Sequence, residues 1–409
     1  MGRISVDDIS PGMILSEDVR DINSRLLLSK NQEITLKQIR ILKIWGVTEV
    51  AMVDKGEINK KEDPLIDKEV REQVHHTTKS IFKNINLDHP AVKEIFRLSV
   101  LYRCRTYEPV EDSNIKLSPE EHPVEAPRID IRKKIETLKM TLPEIPTIVG
   151  ELNKVTGDPF SSANDIAKIV RKSPSLTAIL LKIVNSAFYG FPFKIDNIPR
   201  AITLIGSKEI TALALGISVM KYFKDVSPND IDMNSFLKHS LACGLASRIL
   251  ASQTNMYQTE QMFVAGLLHD IGRLIIYKYF PDQTKLLFQI AGSSSPSLYD
   301  AEKTCLRCRH PEVGKILLNK WKLPKSLMDS AFLHHRPSNS YEPVQAGLVH
   351  IADIVVNALG LGSSGEKTIP RFDEGIWGNL KLTPSIFKPV VEQVIHQLSD
   401  LEALIVKEN

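Results

Sequence analysis

The sequence predicts a mainly α protein, in which a long all-helical region follows a small α+β module at the N-terminus. From about residue 131 onward, apolar residues recur at helical spacing between prolines and glycines, and no alternating strand pattern of any length follows. Before residue 60, short strand-like runs flank a single helical stretch. These two patterns define the fold class.

The composition is that of an ordinary globular protein, with 409 residues, 43% hydrophobic and 25% charged. No run reaches the roughly 18 consecutive apolar residues of a membrane span, and the charged N-terminus is unlike a secretory signal. We therefore expect a cytoplasmic protein with no membrane partner. Four cysteines do not form a disulfide framework. A net charge of +3 predicts no nucleic-acid partner.

Five segments follow from pattern and composition. We expect the α+β module in residues 1–60, with a turn at 21–24 between two strand-like runs, and a helical connector in residues 61–105. Residues 106–130 are rich in proline and acid, which is typical of a linker. The main helical domain is predicted at 131–360, and residues 361–409 form a Gly/Ser loop and a last helix with an apolar stripe.

The stretch "GLLHDIGRLI" (266–275) places His269 and Asp270 within an apolar run. A buried carboxylate without a partner costs several kcal/mol or more. Six of the eleven histidines lie between residues 239 and 350, and several occupy positions that would otherwise be core. Besides His269 these are His239 on an apolar helical stripe, His310 at a helix start, His334 and His335 at a helix end, and His350 one turn before Asp353.

Taken singly, each of these residues is best explained as a core or capping residue. Together they require a joint explanation, because five separate helices each contribute an imidazole or a carboxylate. A metal site within a helical bundle would satisfy all of them. Nitrogen and oxygen ligands without thiolate suit Fe or Mn, with Zn and Mg as alternatives, as one or two ions. Asp270 could bridge two such ions.

The ordered set of His, His-Asp, His, His-His and Asp resembles the HD superfamily of metal-dependent phosphohydrolases. "HPEVGKILLNKWKLPKSLMDSAFLHHRP" and "LVHIADIVV" are similar to its HDOD branch, the HD-related output domain of bacterial signalling proteins. The upstream "LPEIPTIVGELNKV" and "NIPRAITLIG" are similar to the leading helices of that branch. The resemblance covers about residues 131–355 and implies an all-helical HD-superfamily bundle. Residues 8–50 are similar to a module that precedes some HD-GYP and HDOD domains.

The resemblance also implies a set of site residues. The lysine of the HD motif corresponds to Arg273, which can hold a phosphate bidentately but cannot donate a proton as lysine can. "HHRPSNSYEPVQ" lacks the G-Y-P segment of HD-GYP phosphodiesterases. Asp270 would act in catalysis if there is any. The implied metal ligands are His239, His269, Asp270, His310, His334, His335 and Asp353.

Two functions remain open at this point. The favoured one is a signalling output or adaptor protein, in which the metal is structural or sensory and the partners are signalling proteins. The alternative is a metal-dependent phosphohydrolase acting on a nucleotide or cyclic dinucleotide. A nucleotide ligand and a homodimer are compatible with both functions.

Two further motifs have a structural and a functional interpretation. The aromatic loop "NSAFYGFPFKI" could anchor a protein partner through Phe188, Tyr189, Phe191 and Phe193, although packing into the core is the favoured interpretation. Cys305 and Cys308 form a C-x-x-C motif just before His310. A single C-x-x-C is weak evidence for zinc or for a redox role, and no function is the favoured interpretation.

Overall fold

The structure is a computed structural model. It describes residues 3–6, 9–20, 26–35, 38–39, 42, 47, 49–52, 68–107, 127–137, 146–158, 160–185, 189, 191, 193–222, 232–254, 256, 259–293 and 297–405. The turn predicted at 21–24 and most of the predicted linker at 106–130 lie outside these residues.

The N-terminal module contains two short antiparallel pairs. Strand β1 (Arg3–Ser5) pairs with β4 (Glu49–Ala51), with Ile4 opposite Val50, and β2 (Val19–Arg20) pairs with β3 (Leu26–Leu28). Leu15, Ile34 and Met52 belong to a hydrophobic cluster of this module. Small strand pairs of this kind need such a shared apolar cluster, because isolated two-stranded sheets are only marginally stable in water.

From Lys68 onward, every regular element among the described residues is a helix, which confirms the predicted fold class. The helices are α1 (Lys68–Ile81), α2 (Pro90–Arg105), α3 (Ile131–Thr137), α4 (Thr147–Gly157), α5 (Ala163–Arg171), α6 (Pro174–Asn185), α7 (Ile198–Ile205), α8 (Ser207–Tyr222), α9 (Met233–Gln253), α10 (Thr259–Leu268), α11 (Ile271–Tyr279), α12 (Pro281–Ser293), α13 (Leu298–Leu306), α14 (His310–Lys320), α15 (Lys325–Leu333), α16 (Pro343–Leu359), α17 (Glu374–Leu380) and α18 (Phe387–Ile405). Short 3₁₀ turns precede α16 and α18.

The long helix α9 lies at the centre of the bundle and packs against α10, α16 and α18. Its start is fixed by the Asp232 carboxylate, which accepts a hydrogen bond from the Asn234 backbone N–H. Fourteen of its residues are buried, so the helix has no solvent-facing stripe along most of its length. A polar side chain on this helix is therefore placed in the core.

One hydrophobic core runs from Phe82 in the connector to Leu398 in the last helix. Helix α2 is joined to the end of α16, because the Ser99 hydroxyl and the Arg103 guanidinium both donate hydrogen bonds to the Ala358 carbonyl. The predicted connector and C-terminal segments thus pack in the same core as residues 131–360.

Residues 361–373, which we call the strap, connect α16 to α17 and lie against the start of α9. The Ser363 N–H donates a hydrogen bond to the Ser235 carbonyl (3.1 Å), and the Ile369 N–H donates one to the Ile81 carbonyl (2.8 Å). Gly362 has a φ of +75°, and a Cβ there would collide with the Ser235 carbonyl and with the backbone N of His239. The strap therefore needs glycine at this position to approach α9 so closely.

The start of α11 packs equally closely against the start of α14. A Cβ on Gly272 would collide with the His310 carbonyl. We expect Gly272→Ala to lower the free energy of unfolding by about 1–3 kcal/mol through overpacking, measured by urea denaturation. Gly378 in α17 is a matched control, because no atom lies within 4 Å of a Cβ built there, so that Gly378→Ala should be neutral or stabilising by roughly 0.5–1 kcal/mol. Equal losses in both variants would contradict the close approach.

Candidate metal centre

The structure brings the predicted ligand residues together from five places in the bundle. His239 lies on α9, His269 and Asp270 occupy the junction of α10 and α11, and Asp353 lies on α16. All of these are buried. The remaining three are His310, the first residue of α14, and His334 and His335, which follow α15 directly. His335 alone is half-buried.

The ligand atoms fall into two adjoining clusters, and within each cluster all atoms lie within 4.8 Å of one another. The first cluster consists of His239, Cys243, His269 and Asp353, and the second of Asp270, His310, His334 and His335. Cys243 was not predicted from the sequence, where a cysteine on an apolar helical stripe is typical of core. Its position one turn after His239 is the only sequence signal for it.

In the first cluster, the Asp353 carboxylate lies between two imidazoles. Its Oδ1 is 3.3 Å from His239 Nε2 and 3.6 Å from His269 Nε2. Cys243 Sγ is 3.6 Å from His239 Nε2. The contact to His269 is longer than the roughly 2.7–2.9 Å of a charge-assisted hydrogen bond, which leaves room for an ion between the ligand atoms.

Asp270 lies between the two clusters. Its Oδ1 is 2.9 Å from His310 Nε2 and 3.8 Å from His334 Nε2 in the second cluster. Its Oδ2 is 3.4 Å from His269 Nε2 and 4.0 Å from His239 Nε2 in the first. The two oxygens of one carboxylate therefore face different clusters, which is the arrangement that a bridging ligand requires.

Hydrogen bonds outside the clusters orient three of the imidazoles. His269 Nδ1 is 2.7 Å from the Gly266 carbonyl oxygen, and His334 Nδ1 is 2.7 Å from the Ala331 carbonyl oxygen. His310 Nδ1 is 2.8 Å from the buried Glu302 carboxylate. Each Nδ1–H donates to an oxygen, so each Nε2 is directed at its cluster, as in metal-ligating histidines.

Glu302 is a second residue that the sequence did not reveal. It lies on α13, eight residues before His310, and is fully buried. Its Oε2 also accepts the backbone N–H of His310 (2.8 Å) and so fixes both the ring and the first turn of α14.

The carboxylates are held in their charged form. Burial alone would raise the pKa of Asp270, but the Arg273 guanidinium and the His269 imidazole hold that pKa well below its usual value. Burial would also raise the pKa of Asp353, but contacts with His239 and His269 hold it well below the usual value. Both residues thus present anionic oxygens to the clusters.

The imidazoles divide into two groups. Burial would lower the pKa of His269, but Asp270 and Asp353 raise it to about 10, so that a proton on this ring supplies positive charge between two carboxylates. Burial and the neighbouring imidazoles lower the pKa of His334 and of His335 well below the usual value. Neutral imidazoles are the form that binds metal, and a cation could replace the charge of the His269 proton.

The residues present fit a metal centre. The Nε2 atoms of His269 and His335 are buried and have no hydrogen-bond partner among the described residues. Buried polar atoms without partners are rare in proteins, and a bound ion is one of the recognised reasons for them. The donor set of imidazoles, carboxylates and a thiol suits a divalent first-row metal such as Fe, Mn, Co or Zn.

His350 lies outside both clusters, although it is near Asp353 in sequence. Its Nδ1–H donates to the His334 carbonyl (2.7 Å), and its Nε2 accepts the backbone N–H of Asp373 in the strap (3.0 Å). Burial lowers the pKa of His350, which favours the neutral ring that these two contacts need. This histidine therefore connects the second cluster to the strap.

Arg273 lies beside the clusters and is 2% exposed. Its guanidinium donates to Ser364 Oγ (2.9 Å) and lies 3.4 Å from Glu302 and 3.6 Å from Glu366 of the strap, with Asp270 at 3.7 Å. Burial would lower its pKa, but the carboxylates raise it well above the usual value. Its predicted contact with a phosphate stays a prediction, and in the structure its charge is balanced by these three carboxylates.

The C-x-x-C motif packs in the core, and the aromatic loop does so only in part. Cys305 and Cys308 are free and buried, and burial raises the pKa of their thiols to about 11 and about 12. In the aromatic loop, Tyr189 is buried and stacks on Phe191 at 6.0 Å between centroids. Phe193 is 43% exposed, and Phe188 lies outside the described residues.

Glu302 gives a test of how the imidazole of His310 is oriented. We expect Glu302→Gln to weaken metal binding about 10–100-fold, because the amide no longer provides an anionic acceptor for His310 Nδ1–H. Competition with a chromophoric chelator would measure this change. Glu312→Gln on the outer part of α14 is the control and should leave the affinity unchanged. The same affinity in both variants would contradict the orienting role.

Residues 142–337 match the HDOD domain model, so the chain contains an HDOD domain. The match ends before Asp353 and the strap.

A curated protein of Treponema pallidum (strain Nichols), described only as uncharacterized, is 21% identical over 234 residues, which are 56% of this chain and 45% of that protein. The chain thus spans less than half the length of this relative. An HDOD domain protein of unknown function from Geobacter sulfurreducens aligns with a TM-score of 0.57 at 20% identity, over 67% of this chain and 98% of that one. A candidate phosphohydrolase from Shewanella amazonensis SB2B aligns with a TM-score of 0.52 at 18% identity, over 67% and 97%. These similarities establish the fold.

No single helix among the described residues is long and apolar enough to cross a membrane. Helix α7 and residues Ser207–Met220 of α8 reach that length and apolarity only together, with a bend of 119° between them.

Proposed function

We propose that the protein is a metal-binding signal-transduction output protein of the HDOD type, in which an enclosed dinuclear centre is structural or sensory. The observation that carries this proposal is the position of Asp270, whose two oxygens face two complete clusters of ligand atoms. Without metal, so many buried imidazoles and carboxylates would be costly to the fold, because buried polar groups need partners.

The enclosure of the site favours a sensory or structural role over catalysis. Six of the seven predicted ligands are no more than 4% exposed. The strap covers this region, because Gly362 lies on the backbone of His239, Ser364 accepts from Arg273, and Asp373 donates to His350. Metal occupancy would thus act on the conformation of the strap, and a partner signalling protein could recognise that conformation.

Hydrogen exchange tests this coupling. The backbone N–H groups of Ser363, Ile369 and Asp373 are hydrogen-bonded across the strap, and we expect their exchange to slow when metal is added to the metal-free protein. The N–H of Ile4 in strand β1 is an internal reference, since it belongs to the separate core of the N-terminal module. Exchange in the strap that does not respond to metal would count against a sensory centre.

A phosphohydrolase is the second candidate, and one observation favours it. His335 is the only half-buried residue among the predicted ligands, so the second cluster lies nearer the surface than the first, and the buried Nε2 of His335 has no hydrogen-bond partner among the described residues. A bound pair of ions supplies an activated water and neutralises charge on a phosphoryl group. The protein itself would contribute Arg273 as a phosphate contact and Asp270 as the residue that holds the centre together.

Hydrolysis of bis(4-nitrophenyl) phosphate and of cyclic dinucleotides by the metal-loaded protein separates the two functions. We expect wild type to bind metal and to show no turnover above that of Asp270→Asn. Turnover in wild type that disappears in Asp270→Asn would replace our proposal with the phosphohydrolase. A wild type that binds no metal would exclude both functions.

A further inference from the structure

We propose that the thiolate of Cys243 is a ligand of the metal in the first cluster, which makes that site a His₂-Cys-Asp site for a thiophilic divalent ion such as zinc, cobalt or ferrous iron. This inference rests on the proposed function, because it assumes that the first cluster holds metal. It changes the ligand set expected from the sequence, which contained nitrogen and oxygen alone.

The distances match a tetrahedral ion. Zinc bonds of roughly 2.0–2.1 Å to nitrogen and about 2.3 Å to sulfur place the two ligand atoms about 3.5 Å apart at a tetrahedral angle. Cys243 Sγ is 3.6 Å from His239 Nε2. The same argument with oxygen gives about 3.4 Å, and Asp353 Oδ1 is 3.3 and 3.6 Å from the two imidazoles.

A second, independent observation points to an ion at the same place. His269 Nε2 is buried, has no hydrogen-bond partner among the described residues, and belongs to the same cluster as Cys243. Helix α9 approaches α10 so closely at Gly266 that a Cβ there would lie 2.5 Å from the Cys243 carbonyl oxygen. The absence of a side chain at Gly266 thus allows the thiol and the His269 ring to share one space.

The other three cysteines have no comparable surroundings. Among the described residues, Cys243 is the only cysteine that belongs to a cluster of ligand atoms. Cys305 Sγ instead lies 3.8 Å from the Gln283 carbonyl. All four thiols are free and buried, so the other three differ from Cys243 in lying outside the clusters and not in burial.

Metal binding at this site balances in charge and atoms. The S–H bond of Cys243 and the Nε2–H bond of His269 break, both protons leave to buffer, and sulfur–metal and nitrogen–metal bonds form. With the anionic Asp353, the thiolate then supplies two negative charges for one dication. The second cluster has no thiol, and its three imidazoles and Asp270 form a harder site, so the two positions should differ in metal preference.

Cobalt(II) substitution tests the ligand directly. We expect the cobalt-loaded full-length protein to show a thiolate-to-cobalt charge-transfer band in the near ultraviolet. The band should disappear in Cys243→Ser while at least one cobalt remains bound by elemental analysis. In the triple variant Cys104→Ser, Cys305→Ser, Cys308→Ser, which leaves Cys243 as the sole cysteine of the chain, the band should persist. This variant keeps the test decisive even where Cys243→Ser does not fold.

Each outcome is distinguishable. Bound cobalt without a charge-transfer band, or a band that is lost in the triple variant, would overturn the thiolate ligand and leave the proposed metal centre standing. In that case the Cys243 thiol would only donate a hydrogen bond to His239. Protein that binds no cobalt would overturn both the ligand and the proposed function.

Discussion

Asp270→Asn is expected to reduce the metal content of the protein from about two ions per chain to one or fewer. The ion of the second cluster should be lost completely. The substitution changes one atom and one charge, so the packing of the junction between α10 and α11 is retained. Its effect on metal binding should therefore come from coordination and not from unfolding.

The size of the effect follows from what remains in each cluster. Without the Asp270 carboxylate, the second cluster keeps three imidazoles and has no anion to balance a dication. Removal of a hydrogen-bonding partner of a ligand costs about 10–100-fold in affinity, and removal of the bridging ligand itself should cost more than about 100-fold. The first cluster loses the Asp270 oxygen that lies 3.4 Å from His269 Nε2 but retains Asp353. Its affinity for metal should therefore fall, but its ion should stay bound.

Elemental analysis of protein purified without a metal-chelating tag measures both changes. His335→Ala should remove the second ion alone, and the double variant Asp270→Asn, Asp353→Asn should remove both. His350→Ala is the control for loss of a buried imidazole, since His350 lies outside the clusters, and it should retain both ions. Wild-type metal content in Asp270→Asn would mean that Asp270 does not bridge two ions.

The sequence could single out these residues as candidate ligands because each signal is local. His239, His269 and Asp353 are polar residues on helical stripes that are otherwise apolar, and the period of an α-helix suffices to find them. The convergence of these helices on one centre required a resemblance to a known family. The structure adds the distances, which divide the seven residues into two clusters.

The residues that the sequence missed share a physical reason. Cys243 is chemically an apolar residue until a metal is near, so its stripe gave no signal. Glu302 lies on a helix of its own and meets His310 across the turn that joins α13 to α14. The strap has the composition of an ordinary Gly/Ser loop, and its contacts with α9 and Arg273 are long-range. His350 lies one turn before Asp353 in sequence but was not among the implied ligands, and it lies outside both clusters.

Arg273→Met should destabilise the metal-free protein by about 3–5 kcal/mol, as expected when one partner is removed from a buried ion pair. Arg273 is the one cation that lies within 4 Å of Asp270, Glu302 and Glu366 among the described residues. Methionine fills a similar volume, so the loss should come from the uncompensated carboxylates. Arg273→Lys keeps the positive charge but cannot form the same set of guanidinium contacts with the strap. Its loss in the free energy of unfolding should be smaller than that of Arg273→Met.

Urea unfolding followed by circular dichroism, with a chelator present, would give these free energies, and their pH dependence identifies the cause. Burial raises the pKa of Glu366, and the nearby Arg273 guanidinium offsets only part of this rise. Removing Arg273 should therefore raise the pKa of Glu366 further in the folded state. A carboxyl whose folded-state pKa is raised binds more protons when folded, and stability is then lost as pH rises through that pKa. The deficit of Arg273→Met relative to wild type should thus be smaller at about pH 5 than at about pH 8. A deficit that does not change with pH would point to lost packing, because apolar contacts do not titrate.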